Sequence, residues 1–340
     1  ACAVSNCTTA LHLALVGVGV KPGDEVITVS HSFVATANSV RYCGAIPVFV
    51  DIDPATFNMD PAMVEKAVTD RTRAILCVHQ MGMPCDLKAI LDIARRHSLK
   101  VIEDAACAIG SEILWDGEWE KIGRPRGDVA CFSFHPRKVI TTGDGGMITA
   151  CDPGLDRKFR LLRQHGMSVP DRRRHESKEV IFESYEILGY NYRMTDIQAA
   201  VGREQLKRLP EIIKSRRYLA DRYVKLLSDV AEIGLPVQPE QARSNWQSVC
   251  VRLPAGCRQR HVMLAMLDKG ISTRRGVMCA HSEPAYAQGQ WSHSERSIPA
   301  GGLAESEYAQ AHSMILPLYP QMTEGEQDAV IAGLKNAIGA

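Results

Sequence analysis

The chain has 340 residues, of which 45% are hydrophobic, 23% charged and 6% aromatic. That is a globular composition with apolar material for a large core and a smaller one. The 40 basic residues balance 39 acidic ones, which excludes a field of one sign able to gather nucleic acid or an anionic membrane.

No stretch approaches the roughly 20 apolar residues of a membrane helix, and no signal peptide is visible. The chain begins at Ala1 inside what reads as structured sequence, so a missing or processed N-terminal segment is expected. Eleven cysteines are present, an odd number with no C-x-x-C spacing, so no metal site is expected. Several sit in apolar runs, as Cys77 does in AILCVH and Cys131 in VACFSF, where a free thiol acts as a small hydrophobe. A reducing compartment, the cytoplasm, is expected. Arg172-Arg173-Arg174, flanked by Asp171 and Glu176, reads as a solvated loop.

In chain order, strands are expected at Glu25–Val29, Pro47–Val50, Ala74–Val78, Lys100–Glu103, Val129–Phe134 and Gly146–Thr149. Most are continuous apolar runs, as in strands buried on both faces. Helices are expected between them at Thr9–Val18, Val34–Cys43, Pro61–Val68 and Leu87–His97. The alternation predicts an α/β fold with a mostly parallel sheet flanked by helices. Beyond about residue 195, Ile197–Leu209 and Glu211–Leu227 read as two helices broken by Pro210. A strand at Gln247–Leu253 and helices at Arg260–Lys269 and Glu324–Ile338 follow. The expected division is a large domain, residues 1–205, and a smaller α+β C-terminal domain, residues 206–340.

Five segments carry possible chemistry. In FSFHPRKVITTGDGGM (Phe132–Met147) an apolar strand leads to Lys138 and a glycine-rich turn; in an apolar setting such an amine can have a lowered pKa and act as a nucleophile. Alone it reads as a surface lysine beside a turn. In VIEDAACAIGS, Asp104 follows a buried strand, where ligands bind in open α/β sheets, or it caps a helix. In SNCTTALHLAL, Ser5, Asn6, Thr8 and Thr9 open a helix, either as plain caps or as a phosphate site. Phe33 after a strand could lie flat on an aromatic ring or pack in the core. Asn191 and Arg193 precede a long helix and could bind an anion, cap or pair on the surface.

The order and spacing of GDEVI, NSVRYCGAIPVFVDID, VHQMGMPCD, EDAACA, FSFHPRK, TTGDGGM and GYNYRMTDIQAA resemble the DegT/DnrJ/StrS family of sugar aminotransferases, fold-type-I pyridoxal 5'-phosphate enzymes, over nearly the whole chain. The resemblance implies that Lys138 forms the Schiff base and moves the proton. It implies that Asp104 pairs with the pyridine nitrogen, that Phe33 lies over the ring, and that Thr8, Thr9 and Ser133 hold the phosphate. Asn191 would reach the phosphate of a neighbouring subunit, so a homodimer with shared active sites is implied. Cys107 stands beside the cofactor where many members carry Gln or His; Cys7 and Asp144 are further departures. His281, Arg274 and Tyr286 fall where the family approaches its acceptor. The implied reaction moves an amino group from glutamate or glutamine to a keto sugar, expected to be a nucleotide-linked 4-keto sugar. A cyclitol or simpler ketone as acceptor, and a non-catalytic regulatory member of the fold, are the alternatives.

Overall fold

The computed structural model describes residues 1–169, 176–230, 233–287 and 302–339. The run Arg172-Arg173-Arg174 lies outside them. Its centre is a seven-stranded sheet. Five strands run parallel: β2 (Glu25–Val29), β3 (Ile46–Val50), β4 (Thr72–Val78), β5 (Lys100–Asp104) and β8 (Val129–Ser133). β9 (Gly146–Ala150) runs antiparallel to β8, and β1 (Cys2–Val4) pairs on its far side. The order across the sheet is β1-β9-β8-β5-β4-β2-β3.

Alternate residues of these strands enter two different cores. Ile27, Val29, Ile75, Cys77, Val101, Ala130 and Phe132 pack on one face, against α3 (Pro61–Ala67) and α4 (Leu87–Arg96). Val26, Ala74, Leu76, Ile102, Val129 and Cys131 pack on the other, against α1 (Cys7–Gly17) and α5 (Pro153–Leu162). This is why the strands read as unbroken apolar runs. α2 (Ala35–Tyr42) follows β2. The expected strands and helices of the first half stand within about two residues of their places. A hairpin, β6 (Glu112–Trp115) and β7 (Glu118–Lys121), was not foreseen; β10 (Ala242–Arg243) joins it from the C-terminal part.

The expected break at Pro210 is corrected. One 32-residue helix, α6 (Asp196–Leu227), runs through it. Proline removes the N–H that would bond the Leu206 carbonyl, but both residues are exposed, so water can take that partner's place. Packing on either side of Pro210 holds the rod together. Leu209, Ile212 and Ile213 sit in the sheet's core; Leu219, Ala220, Tyr223 and Leu227 sit in a separate C-terminal core. The expected domain division after residue 205 falls within this helix, and we propose that α6 is shared by both units. The C-terminal core is closed by β11 (Val249–Arg252), α7 (Gln259–Leu267), β12 (Arg274–Arg275), β13 (Ser313–Leu316) and α10 (Glu324–Ile338). α8 (Pro284–Ala287) and α9 (Ala304–His312) lie between β12 and β13.

One carboxylate fastens the C-terminal unit to the sheet. The N-cap position of α9 is Leu303, whose side chain cannot cap. Asp51, just beyond β3, supplies the cap: Oδ2 accepts from the Glu305 N–H at 2.9 Å, and Oδ1 from the Ser306 N–H at 2.8 Å and hydroxyl at 2.6 Å. Asp51→Ala is therefore expected to cost about 1–2 kcal/mol, the usual loss for a helix cap. Denaturant unfolding checks this, and an unchanged midpoint would show that water replaces the cap.

Candidate active site

The parallel strands present their carboxyl ends at one rim, where the side chains turn polar. Asp104 ends β5 and is 5% exposed. No helix begins after it, so it is not a helix cap. Its Oδ1 accepts from the Ala106 N–H at 3.1 Å and its Oδ2 from the Thr36 hydroxyl at 2.8 Å. Ser32 Oγ lies 2.8 Å from Thr36 Oγ1. Thr36 spends its proton on Asp104, so Ser32 is the donor in that pair. Burial pushes the Asp104 carboxyl above its ordinary value, opposed by the Thr36 and Ala106 bonds and by Lys138 and His79.

Lys138 stands in the turn after β8, its N–H donating to the His135 carbonyl at 2.9 Å. Its Nζ lies 3.0 Å from Cys107 Sγ. The expected lowering of its pKa is corrected. Burial does pull the ammonium down, but Cys107, through charge and hydrogen bond, together with Cys7 and Asp104, holds it above the usual lysine value. The amine is thus stored as a cation beside two thiols and a carboxylate, and must lose a proton before it can attack a carbonyl.

The start of α1 closes the rim. Asn6 caps it, accepting from the Thr9 N–H at 2.9 Å. Thr9 Oγ1 donates to the Asn6 carbonyl at 2.8 Å and accepts from the Asn6 N–H at 3.3 Å. The Thr9 hydroxyl is therefore taken up by the cap, whereas that of Thr8 has no partner among the described residues. The first-turn N–H groups of Cys7 and Thr8 have no intrahelical acceptor. Ser133, at the end of β8, pairs with Gly146, and a Cβ at Gly146 would fall 2.5 Å from the Asn6 carbonyl carbon. Glycine there lets the helix start press against the strand end, bringing Ser133 beside a set of open donors.

Phe33 is 63% exposed although its neighbours Ser32 and Thr36 are buried. It is not a core phenylalanine; it stands open at the mouth of the rim. Asn191 is exposed, and its side chain bonds to no described residue; only its backbone bridges, to Gln164. His281 docks on the end of β2, with Nδ1 2.6 Å from Ser30 Oγ and Nε2 3.2 Å from Glu307 Oε1. Tyr286 donates to Asn38 Oδ1 at 2.8 Å and packs edge-on to Phe49. Arg274 is exposed on β12, and among the described residues no hydrogen bond ties its side chain to the rim.

Thr36, Ser32 and Asn245 were missed. Thr36 opens TANSV as the second residue of α2, four residues after Ser32, a spacing that lets the two side chains meet and a signal that was present but weak. Asn245, fully buried, binds the Cys107 carbonyl from 138 residues away, and no local pattern shows such a contact.

A model of the DegT/DnrJ/EryC1/StrS aminotransferase family matches residues 1–335. The chain belongs to this family. GDP-perosamine synthase of Caulobacter vibrioides is 42% identical, covering 99% of this chain and 85% of that protein. The structure of S. venezuelae DesV in complex with a ketimine intermediate matches with a TM-score of 0.88 at 34% identity, over 100% of this chain and 85% of that one. NtdA from Bacillus subtilis with bound cofactor PMP matches with a TM-score of 0.83 at 33% identity, over 100% of this chain and 73% of that one. The sheet and its helical layers are those of the fold-type-I aminotransferases.

The raised Asp104 pKa has a sign that can be measured. The folded protein holds this proton more tightly than the unfolded chain, so the ionised carboxylate costs stability once pH passes the ordinary carboxyl range. Asp104→Asn should raise the melting temperature of the cofactor-free protein at pH 7, and the gain should shrink toward about pH 4. A lower melting temperature at pH 7 would mean that the carboxylate is a net stabiliser.

Proposed function

We propose that this enzyme transfers an amino group from glutamate or glutamine to a nucleotide-linked keto sugar, with a 4-keto sugar as the acceptor. Membership of the family makes the chain an aminotransferase with pyridoxal 5'-phosphate as cofactor. The observation that carries the reading is the meeting, at one rim, of Lys138, the buried Asp104 and the open donors of α1. The acceptor class is supported by the 42% identity to GDP-perosamine synthase.

The residues fit the cofactor. A pyridinium nitrogen would supply the charge that the buried Asp104 carboxylate lacks. The N–H groups of Cys7 and Thr8, with the hydroxyls of Thr8 and Ser133, would hold the phosphate. Phe33 would cover a ring face, and its exposure leaves it free to do so. When bound, the cofactor supplies an electron sink for the carbanion that forms at the donor's α-carbon. Asp104 would keep the ring nitrogen protonated. Lys138 Nζ would take the proton from the donor's α-carbon and deliver it to the cofactor's methine carbon, as general base and then general acid. Cys107 holds that amine in place between the two transfers. His281 and Tyr286, on the segment docked at the ends of β2 and β3, would line the acceptor's approach, and Arg274, exposed on β12, is a further candidate to meet it.

Surface chemistry supports a dimer. Phe182, Leu188 and Ile197 are 91%, 87% and 79% exposed, and Asn191 lies among them in sequence. Such exposed apolar side chains favour a partner, and in a dimer joined there Asn191 would be the candidate to reach the second copy's phosphate site. No helix among the described residues is long and apolar enough to cross a membrane. All eleven cysteines are free, which supports a reducing, cytoplasmic location.

Lys138→Ala should lose the visible absorbance of the bound cofactor and turnover, on the order of 10³-fold or more. Spectra recorded while L-glutamate or L-glutamine, and then nucleotide-linked keto sugars, are added would identify donor and acceptor. Retention of absorbance and turnover in the variant would sink the assignment. A Phe182→Asp/Leu188→Asp variant should run as a monomer by light scattering and lose activity with it. A monomeric variant with full activity would remove the shared site.

A further inference from the structure

One segment of the C-terminal unit touches both turns that carry the site. Asn245, fully buried, donates through Nδ2 to the Cys107 carbonyl at 2.8 Å and the Ile109 carbonyl at 2.9 Å, and its N–H donates to Ser111 Oγ at 3.0 Å. Gln247 donates through Nε2 to the Arg137 carbonyl at 3.3 Å, and its N–H donates to Asn245 Oδ1 at 2.9 Å. One amide thus ends on the residue whose thiol meets Lys138, and the other on the residue preceding Lys138. Between them, Trp246 is buried at a φ of 51°. Gly82 makes room: a Cβ there would fall 2.0 Å from Asn245 Oδ1 and 3.1 Å from the Cys107 carbonyl oxygen.

The turn carries two costs. A non-glycine residue in the left-handed region is strained. Gln247 Oε1 is also buried without a hydrogen-bond partner among the described residues. Costs of this kind gather where geometry matters for function. The left-handed Trp246 sends the two amides to different turns.

We propose that Asn245 and Gln247 are positioning residues that hold Cys107 against Lys138, so that the C-terminal unit sets the aim of the reacting amine. The proposal rests on Lys138 being the cofactor lysine. Neither amide touches the reacting atoms; each acts through the backbone of a neighbour. The groups that face Lys138 are Cys107, Cys7 of α1 and Asp104 of β5. Loosening the Cys107 contact removes part of what keeps the ammonium charged, so the amine should deprotonate at lower pH.

The test uses cofactor-loaded enzyme with L-glutamate or L-glutamine, following the visible band in single turnovers. Gln247→Met keeps the volume and loses the donor. It should lower the saturating rate by about tenfold or more, as misaligned groups do, while the half-saturating donor concentration stays the same. In both Gln247→Met and Cys107→Ala, the pH profile for capture of pyridoxal phosphate by stripped enzyme should move to lower pH. The double variant should be no slower than the slower single one, because both act on one contact. Asn245→Ser is the companion variant; if it fails to fold, Gln247→Met decides. A folded Gln247→Met with the wild-type rate and pH profile overturns the proposal, as do fully additive losses in the double variant. A wild type that captures no pyridoxal phosphate would overturn this proposal and the aminotransferase reading together, which separates the two failures.

Discussion

A parallel sheet buried on both faces leaves the ends of its strands as the main place where polar side chains can meet a ligand. The groups that meet the ring and the reacting amine follow from that constraint. Ser30, Asp104 and Ser133 stand at or just beyond the ends of β2, β5 and β8. The turns that leave those ends carry Phe33, Cys107 and Lys138. The sheet fixes these positions through cross-strand register, such as Asp104 opposite Cys131 and Ser133 opposite Gly146. Side chains remote in sequence are thereby held to the tolerance of a packed core.

The same burial sets the charges. Asp104 and Lys138 are opposite in sign, and burial disfavours the charged form of both. For Lys138 the neighbouring thiols and carboxylate outweigh that penalty; for Asp104 its hydrogen bonds and cationic neighbours do not. The site therefore contains one ion with partners enough and one still short of a cation. A cationic ring completes the second, so binding strength and electronic tuning come from a single contact.

Much of this was legible along the chain, and the reason is local. Strands such as EVITV and VACFS announce themselves because both faces are covered, and the final helix Glu324–Ile338 announces itself through Thr323 and Glu326, which cap each other. Asp104 and Lys138, polar groups after apolar runs, read alone as a cap and a surface lysine, and only the resemblance of the whole series of segments gave them roles. What stayed hidden depended on distant partners. Pro210 looked like a break because its support lies in two cores built from other segments. The β6–β7 hairpin carried a readable sign, Asp116-Gly117, both with positive φ, as a tight hairpin turn requires. Its short, mixed strands masked it. Thr36 reads as an ordinary helix residue until Asp104 is placed beside it, and Asn245 has no meaning until Cys107 is.

The Asp51 cap has a temporal consequence. The helix it completes lies 254 residues further along the chain. A nine-residue helix is too short to persist alone in water, and this one has no cap of its own. During synthesis the N-terminal strands can emerge and pair long before that helix exists, so the acceptor waits for its donors. The last part of the chain is thereby templated by the first, and only a correctly ordered β3 edge can receive it.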